Sequence, residues 1–316
     1  MDAAKPKASI TARFVQPALL GLLLLGTHPA NGLEGARPDT DQRYAAVVVL
    51  MAGPVDQCSA TKIGARRFLT AAHCVVDTGS GELHPAFRAD GSIAISNAAA
   101  PRAAEDFITA IVHHTRLAPA FRQGMEQFIA FKRKRVAAFK EQFAGTELLR
   151  RIAKMEAKHH FTARYPDAAV VQIDRATPSI PTASIDLDAL AAEQTVTLVG
   201  YGCAHLADRQ DEQQRQPFGR RRWARTQVIR VDAVNFYSYA EHLRADAPSL
   251  CPGDSGGPVL RDDKVVGVHG TVYGIGAAGG AHSNMSVNLH ALRTWDAIQD
   301  RRLGPQRFSP AGSTAE

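Results

Sequence analysis

Nine short runs rich in β-branched and aliphatic residues, parted by Gly, Pro, Asn and Asp clusters, constrain this chain more than any other feature. They fall at residues 44–51, 61–70, 93–95, 107–112, 168–173, 195–200, 227–231, 258–260 and 265–269. Many short strands with turn signals between them predict an all-β sandwich or a pair of barrels. A length of 316 residues allows one large domain or two medium ones. Hydrophobic residues at 45% against charged residues at 22% exclude a wholly disordered chain.

One stretch departs from the pattern. Between about 119 and 160 strand signals vanish, and Met125, Phe128, Ile129, Val136, Phe139 and Phe143 recur at helical spacing, followed by Leu148, Leu149, Ile152 and Met155. Gly145 separates the two sets, so the stretch predicts a helix pair or a kinked helix. It carries ten Lys or Arg, Lys132 to Arg135 among them, against four Glu, and so holds the basicity of a chain whose formal charge is +6. The ordinary account is a helix pair that packs its Phe face and leaves a solvated basic face. The sharper one is a surface for an acidic protein, polysaccharide or membrane. The overall excess is too mild to call for nucleic acid.

Lys5, Lys7 and Arg13 precede an apolar run at 18–26 that is too short to span a bilayer. Small residues at Ala30 and Gly32 put a cleavage after Gly32, so residues 1–32 read as an export signal. A secreted or periplasmic product keeps its four cysteines in disulfides. No Cys-x-x-Cys pair is present, and the tandem pairs His113-His114 and His159-His160 lack ligand spacing. No metal or organic cofactor is therefore expected. Residues 176–190, with Pro178 and Pro181, read as an inter-domain linker; 209–222, with Arg220-Arg221-Arg222, as a polar loop; 289–301 as a terminal helix; and 304–316 as a tail.

Two segments carry chemistry. Leu69-Thr70-Ala71-Ala72-His73-Cys74 sets a His beside a Cys after a strand, and Cys251-Pro252-Gly253-Asp254-Ser255-Gly256-Gly257-Pro258 sets a Ser in a tight Gly-rich turn. A serine hydroxyl attacks a carbonyl only with a base such as His to take its proton and a carboxylate to orient that His. Glycines around the Ser let backbone N–H groups converge on the oxyanion without Cβ clashes. Gly253 to Gly257 also satisfies the Gly-x-Ser-x-Gly elbow of α/β-hydrolases. That fold needs a helix after the Ser and the order Ser, acid, His, whereas here Pro258 and a strand follow.

The two motifs, in this order, resemble those of chymotrypsin-like (trypsin-fold) serine peptidases, and the likeness extends over about 33–302 apart from the helical stretch. It implies two antiparallel β-barrels with the site in the cleft between them, a short C-terminal helix, and a helical insert in the first half. The corresponding units are 33–175 for the first barrel, with the insert at about 119–160, and 191–303 for the second barrel and terminal helix. The third triad member should lie on a strand-like run between the motifs, and Tyr165-Pro166-Asp167-Ala168-Ala169-Val170 fits. Ser255 follows Asp167 at nearly the family interval of about 93, while His73 to Asp167 exceeds the family's about 45 by roughly fifty residues, close to the length of the insert. Asp106 is the rival acid, but it follows His73 too closely.

The likeness thus implies Ser255 as nucleophile, His73 as base and Asp167 as its orienting acid, with the N–H groups of Gly253 and Ser255 as oxyanion hole. It implies a bridge between Cys58 and Cys74. Cys251 normally bridges to a later cysteine; none follows here, which leaves Cys203. Ser249 stands where trypsin-like members carry the Asp that binds Arg or Lys, so cleavage after those residues is disfavoured. His269 matches a pocket-wall His of glutamate-specific members, and Gly270 stands where a Ser usually supports the triad acid. The substrate is then a protein or peptide and the chain is expected as a monomer. The competing account is a non-catalytic homologue that binds through its basic insert. Asp254 would receive an α-amino group freed at Leu33 by the cut after Gly32.

Overall fold

The computed structural model describes residues 33, 35–53, 57–77, 79–159, 161–203, 219–274 and 282–299. The export segment, most of the loop at 209–222 and the tail lie outside those residues. Two closed antiparallel six-stranded barrels make up the body. The first runs in the order β2 (Val47–Met51), β3 (Gln57–Gly64), β4 (Arg67–Thr70), β7 (Ala169–Ile173), β6 (Ile108–Leu117) and β5 (Ser92–Ser96), which pairs back with β2. The second runs in the order β9 (Arg222–Val231), β10 (Asn235–Tyr239), β13 (His282–Asn288), β12 (Lys264–Gly274), β11 (Pro258–Arg261) and β8 (Thr195–Gly200), closed by β8 on β9. Closure removes the open sheet edges that would otherwise template aggregation. The single run expected at 61–70 is two strands, β3 and β4, turning at Ala65 and Arg66.

Each barrel is finished by a piece of chain from the far end of the sequence. The expected first unit began at residue 33, but β1 (Arg37–Pro38) pairs with β9 of the second barrel. Leu33 and Ala36 are buried in that barrel's core with Leu190, Val228 and Phe236. Conversely, the short C-terminal helix is a 3-10 turn, Leu289–Leu292, and Leu292, Trp295 and Ile298 join the core of the first barrel. Apolar burial, which has no sequence directionality, decides these placements. The linker at 176–190 is held down: Lys62, almost fully buried, donates to the carbonyls of Thr177 and Ile180 at 2.6 Å each.

The helical insert springs from between β6 and β7 as α1 (Pro119–Gln142), α2 (Gly145–His159) and α3 (Phe161–Arg164). Its two ends are pinched together by the Ala118 N–H donating to Ala168 O at 2.9 Å and by the Leu117–Ala169 pairing, so the barrel closes as if nothing intervened. Pro119 supplies a preset φ where a helix has no use for its first N–H. Phe121, Met125, Phe128 and Ile129 form the buried stripe of α1, each worth about 1.5–3 kcal/mol on burial. Gly124 lies in the same stripe because a Cβ there would sit 2.5 Å from the Tyr165 ring. Beyond Ile129 the helix leaves the barrel. Gly145, at φ +54°, reverses the chain into α2.

The loop expected to be polar at 220–222 ends in the interior. Arg222 opens β9 and is buried, and Arg221 is the largest fully buried side chain described. Arg221 Nε donates to Asp39 Oδ2 at 2.7 Å, and its Nη1 reaches Asn97 O at 2.7 Å and Tyr201 Oη at 3.0 Å. Asp39 also accepts from the backbone N–H groups of Arg43 and Tyr44. A buried guanidinium is tolerable only with such partners.

Candidate active site

His73 sits in a 3-10 turn, Ala72–Cys74, directly after β4. The Cys58–Cys74 disulfide ties that turn to β3. Asp167 lies just ahead of β7, the neighbour of β4, with only 1% of its surface exposed. The strand pairing brings the two together, and the carboxylate is engaged on both oxygens by one residue. His73 Nδ1 is 2.6 Å from Oδ2, and the His73 backbone N–H donates to Oδ1 at 2.9 Å. Two contacts fix the ring orientation and favour the tautomer with Nδ1 protonated, which leaves Nε2 as the ring's free acceptor nitrogen. Burial alone would lower the His73 pKa, but the charge of Asp167 and the hydrogen bond to it outweigh burial and the pKa is raised. Asp106, the rival acid, is exposed and spends its carboxylate on the backbone N–H groups of Arg102 and Ala103.

Ser255 stands in a turn of the second barrel between Cys251 and β11. The turn is built by backbone contacts. Asp254, fully buried, accepts from the N–H groups of Gly202 at 2.8 Å and Cys251 at 2.9 Å. The Cys203–Cys251 disulfide holds the same two segments together. Gly253 and Gly256 take φ of +101° and +83°, conformations that side chains resist. The amides of Asp254, Gly256 and Gly257 are taken by the carbonyls of Cys251, His269 and Asp254. Those of Gly253 and Ser255 have no acceptor among the described residues. Two backbone donors left open in one turn are what a developing oxyanion requires.

Ser59, which no motif marks, docks this turn on the first barrel. Its N–H donates to Ser255 O and its Oγ to Gly253 O, both at 2.8 Å, and Thr70 Oγ1 in turn donates to Ser59 O. These bonds turn the two carbonyls of the turn toward β3. The signal for Ser59 was lost because a lone Ser in a strand has no sequence context. The Ser255 hydroxyl donates to Gly270 O at 3.3 Å, and no hydrogen bond joins it to His73 among the described residues. Hydrogen bonds of this kind are often long until substrate arrives.

Around the site, Ser249 is buried and its Oγ accepts from the Glu241 N–H at 3.0 Å. Asn284 accepts from the Leu250 N–H and donates to Tyr239 O and Pro248 O, bracing the segment before the Ser255 turn. His269, on β12, is fully buried. Its Nδ1 lies 3.4 Å from Ser286 Oγ, and burial pushes its pKa down to about 3, offset only in part by a backbone interaction with Val199. Gly270 follows it, with room for a Cβ 3.3 Å from Met285 O. Cys58, His73 and Cys74 bring donor atoms within 4.8 Å of one another, but the two sulfurs are bonded to each other and offer no thiolate to a metal.

The trypsin family model matches residues 132–295, more than half of the chain, and the chain belongs to that family. The matched region contains Asp167 and Ser255 and begins within the insert, after His73. Among solved structures, human heparin binding protein superposes with a TM-score of 0.53 at 14% identity, covering 88% of this chain and 100% of that one. A Glu endopeptidase superposes at 0.54 and 17% identity over 85% of this chain and 97% of its own. An inactivated protease paralogue of the scabies mite superposes at 0.55 and 13% over 84% and 97%. At these identities the likeness speaks to the fold. No curated protein matches the chain significantly. Family membership implies a serine-protease-like protein acting on proteins or peptides, and two disulfides are consistent with an extracellular location.

Proposed function

We propose that the chain is an exported serine endopeptidase that hydrolyses peptide bonds through an acyl-enzyme. The observation that carries this reading is the capture of both Asp167 oxygens by His73, at 2.6 and 2.9 Å, beside a turn with two amides that have no acceptor among the described residues. Ser255 Oγ attacks the scissile carbonyl as His73 Nε2 takes its proton. Asp167 keeps the imidazole oriented and stabilises the imidazolium, and the N–H groups of Gly253 and Ser255 receive the oxyanion. His73 then hands the proton to the leaving amine, and water reverses the sequence on the acyl-enzyme. Signal removal after Gly32 frees the amino group of Leu33, a residue already buried in the second barrel. N-terminal sequencing of active protein tests that step, and a start elsewhere sinks it.

Burst release from an activated ester, lost in Ser255→Ala, tests the central reading, and a wild-type protein with no burst overturns it. Asp106→Asn should leave turnover unchanged.

Substrate preference follows from the pocket. An uncharged floor at Ser249 does not offset a buried cation, so residues other than Arg and Lys are preferred. A glutamate-recognising His269 gains support from the Glu endopeptidase likeness, but a fully buried neutral ring does not favour it. Peptide-library profiling separates the two. Dominant cleavage after Arg or Lys overturns the floor argument, and cleavage after Glu that His269→Asn abolishes revives the other. The non-catalytic reading draws on the Ser255 hydroxyl resting on Gly270 O and on the inactivated paralogue among the neighbours. Absence of any burst would promote it.

A further inference from the structure

Phe131, Arg135 and Phe139 succeed one another at intervals of four along one face of α1, and Arg150, Arg151 and Lys154 face them from α2. The two helices enclose a groove of about 430 Å³, with Met155 and Arg164 of α3 also in its lining. The first half of α1 is docked on the barrel, while no described side chain of α2 is buried. Five cations, each still exposed, thus share one concave surface, and like charges gathered there repel unless an anion lies among them.

The groove is also stiffened for a partner. Glu147 accepts from Arg150 Nε at 2.8 Å and from Arg151 Nε at 2.7 Å, and these hydrogen bonds hold its pKa down to about 2. The Arg135 guanidinium lies 5.2 Å above the Phe139 ring and that of Arg151 lies 4.1 Å above Phe143. Glu147 offsets one of five positive charges, and among the described residues no carboxylate lines the groove itself. Phe131 remains 43% exposed beside these charges.

We infer that this groove binds an acidic peptide segment bearing aromatic or aliphatic side chains, contributed by the protein substrate. Only such a segment uses both features, carboxylates against the guanidinium groups and apolar side chains against the phenyl walls. A sulfated polysaccharide would use the charges alone, and a lipid surface meets a convex face better than a groove. The place fits a substrate. Arg164, in the groove lining, is three residues before Asp167, at most about 11 Å along the chain, so the groove and the candidate catalytic residues are neighbours in the chain. Anchoring a remote segment raises the effective concentration of the scissile bond. Naming the partner as substrate rests on the peptidase reading; the binding itself does not.

Fluorescence anisotropy on the full chain carrying Ser255→Ala reads binding without cleavage. The probes are a labelled peptide alternating Glu and Phe, an all-Glu peptide of equal length, dextran sulfate, and vesicles of phosphatidylglycerol. The Glu/Phe peptide should bind tightest. The triple variant Arg135→Gln, Lys154→Gln, Arg164→Gln should weaken it more than about tenfold and flatten its salt dependence. Phe131→Ser should weaken the Glu/Phe peptide and leave the all-Glu peptide unchanged. Equal affinity for both peptides, indifference to either variant, or tighter binding of dextran sulfate or vesicles that ignores Phe131 would overturn the inference. Binding without a burst from the wild type keeps the groove and removes the peptidase reading; a burst without binding does the reverse.

Discussion

His73, partly buried, and His269, fully buried, stand one in each barrel at the candidate site, and they are driven in opposite directions. Burial favours the neutral ring in both cases. At His73 a carboxylate 2.6 Å from Nδ1 outweighs it, and the pKa rises. At His269 the nearest side-chain partner is the uncharged Ser286 hydroxyl, and the pKa falls to about 3. Similar rings are thus set apart: the proton is held more firmly on His73 than on a free imidazole, and His269 stays neutral down to about pH 3. The charge beside the ring sets the direction of the shift at His73, and its absence leaves burial to set it at His269.

The largest test removes that charge. Asp167→Asn should lower kcat by about 10⁴, since the Nδ1 tautomer is no longer enforced. The pH profile carries a sign. Catalysis needs neutral His73, so the rate falls as pH drops through a pKa that Asp167 has raised. Without the carboxylate only burial remains, and the acid limb of the residual activity should move to lower pH. Stability moves oppositely: the His73–Asp167 contribution is full below the unfolded pKa of about 6.5 and is lost as pH rises through the folded value. An acid limb that stays in place in Asp167→Asn would show that another group controls it.

Arg221 and Asp39 extend the rule to a pair whose side chains are 0% and 1% exposed. Arg221→Met strands a buried carboxylate and should cost about 3–5 kcal/mol in urea unfolding. Arg221→Met with Asp39→Asn should recover most of the loss, because no charge is then left unpaired. A double variant as unstable as the single one would mean that the guanidinium's bonds to Asn97 O and Tyr201 Oη matter more than charge pairing.

His269 supplies a smaller, pH-graded effect. Between its ordinary 6.5 and about 3 the unfolded chain binds a proton that the folded chain refuses, so folding stability declines as pH falls. The contribution is at most about 1.4 kcal/mol per pH unit. His269→Asn should flatten the stability–pH slope in that window, whatever it does to stability at neutral pH. An unchanged slope would mean the ring already takes up a proton when folded.

These residues were unequally visible in the sequence. His73 and Ser255 announce themselves through neighbours whose spacing the chemistry needs, and Asp167 through its strand-like run. The insert was legible as a helix pair from its periodicity, while the groove between the helices depends on how far α1 runs past Ile129. Strands β10 and β13 escaped because Asn235, Ser238, Ser283 and Asn284 interrupt their apolar alternation, and those polar side chains are buried. Arg221 was invisible for the complementary reason: its acid partner is Asp39, 182 residues away, and three arginines in a row read as solvated charge. Long-range pairing converts a polar signal into a core residue, and no local window contains it.

Gly270 is the last and smallest lever on the contrast between the histidines. By the family likeness a Ser at this position donates to the triad acid, and here that donor is missing. Among the described residues Asp167 has His73 alone on both oxygens. A Ser would meet Met285 O at 3.3 Å from its Cβ, a contact relieved by a few tenths of an ångström. Gly270→Ser should therefore fold, and one added hydrogen bond of about 0.5–1.5 kcal/mol should raise kcat/KM by roughly two- to tenfold. The same bond spreads the carboxylate's charge, so its pull on His73 weakens and the acid limb should shift slightly to lower pH. The Gly270 carbonyl that accepts from the Ser255 hydroxyl belongs to the backbone and is kept in the variant. If Gly270→Ser leaves both rate and acid limb unchanged, Asp167 needs no second donor.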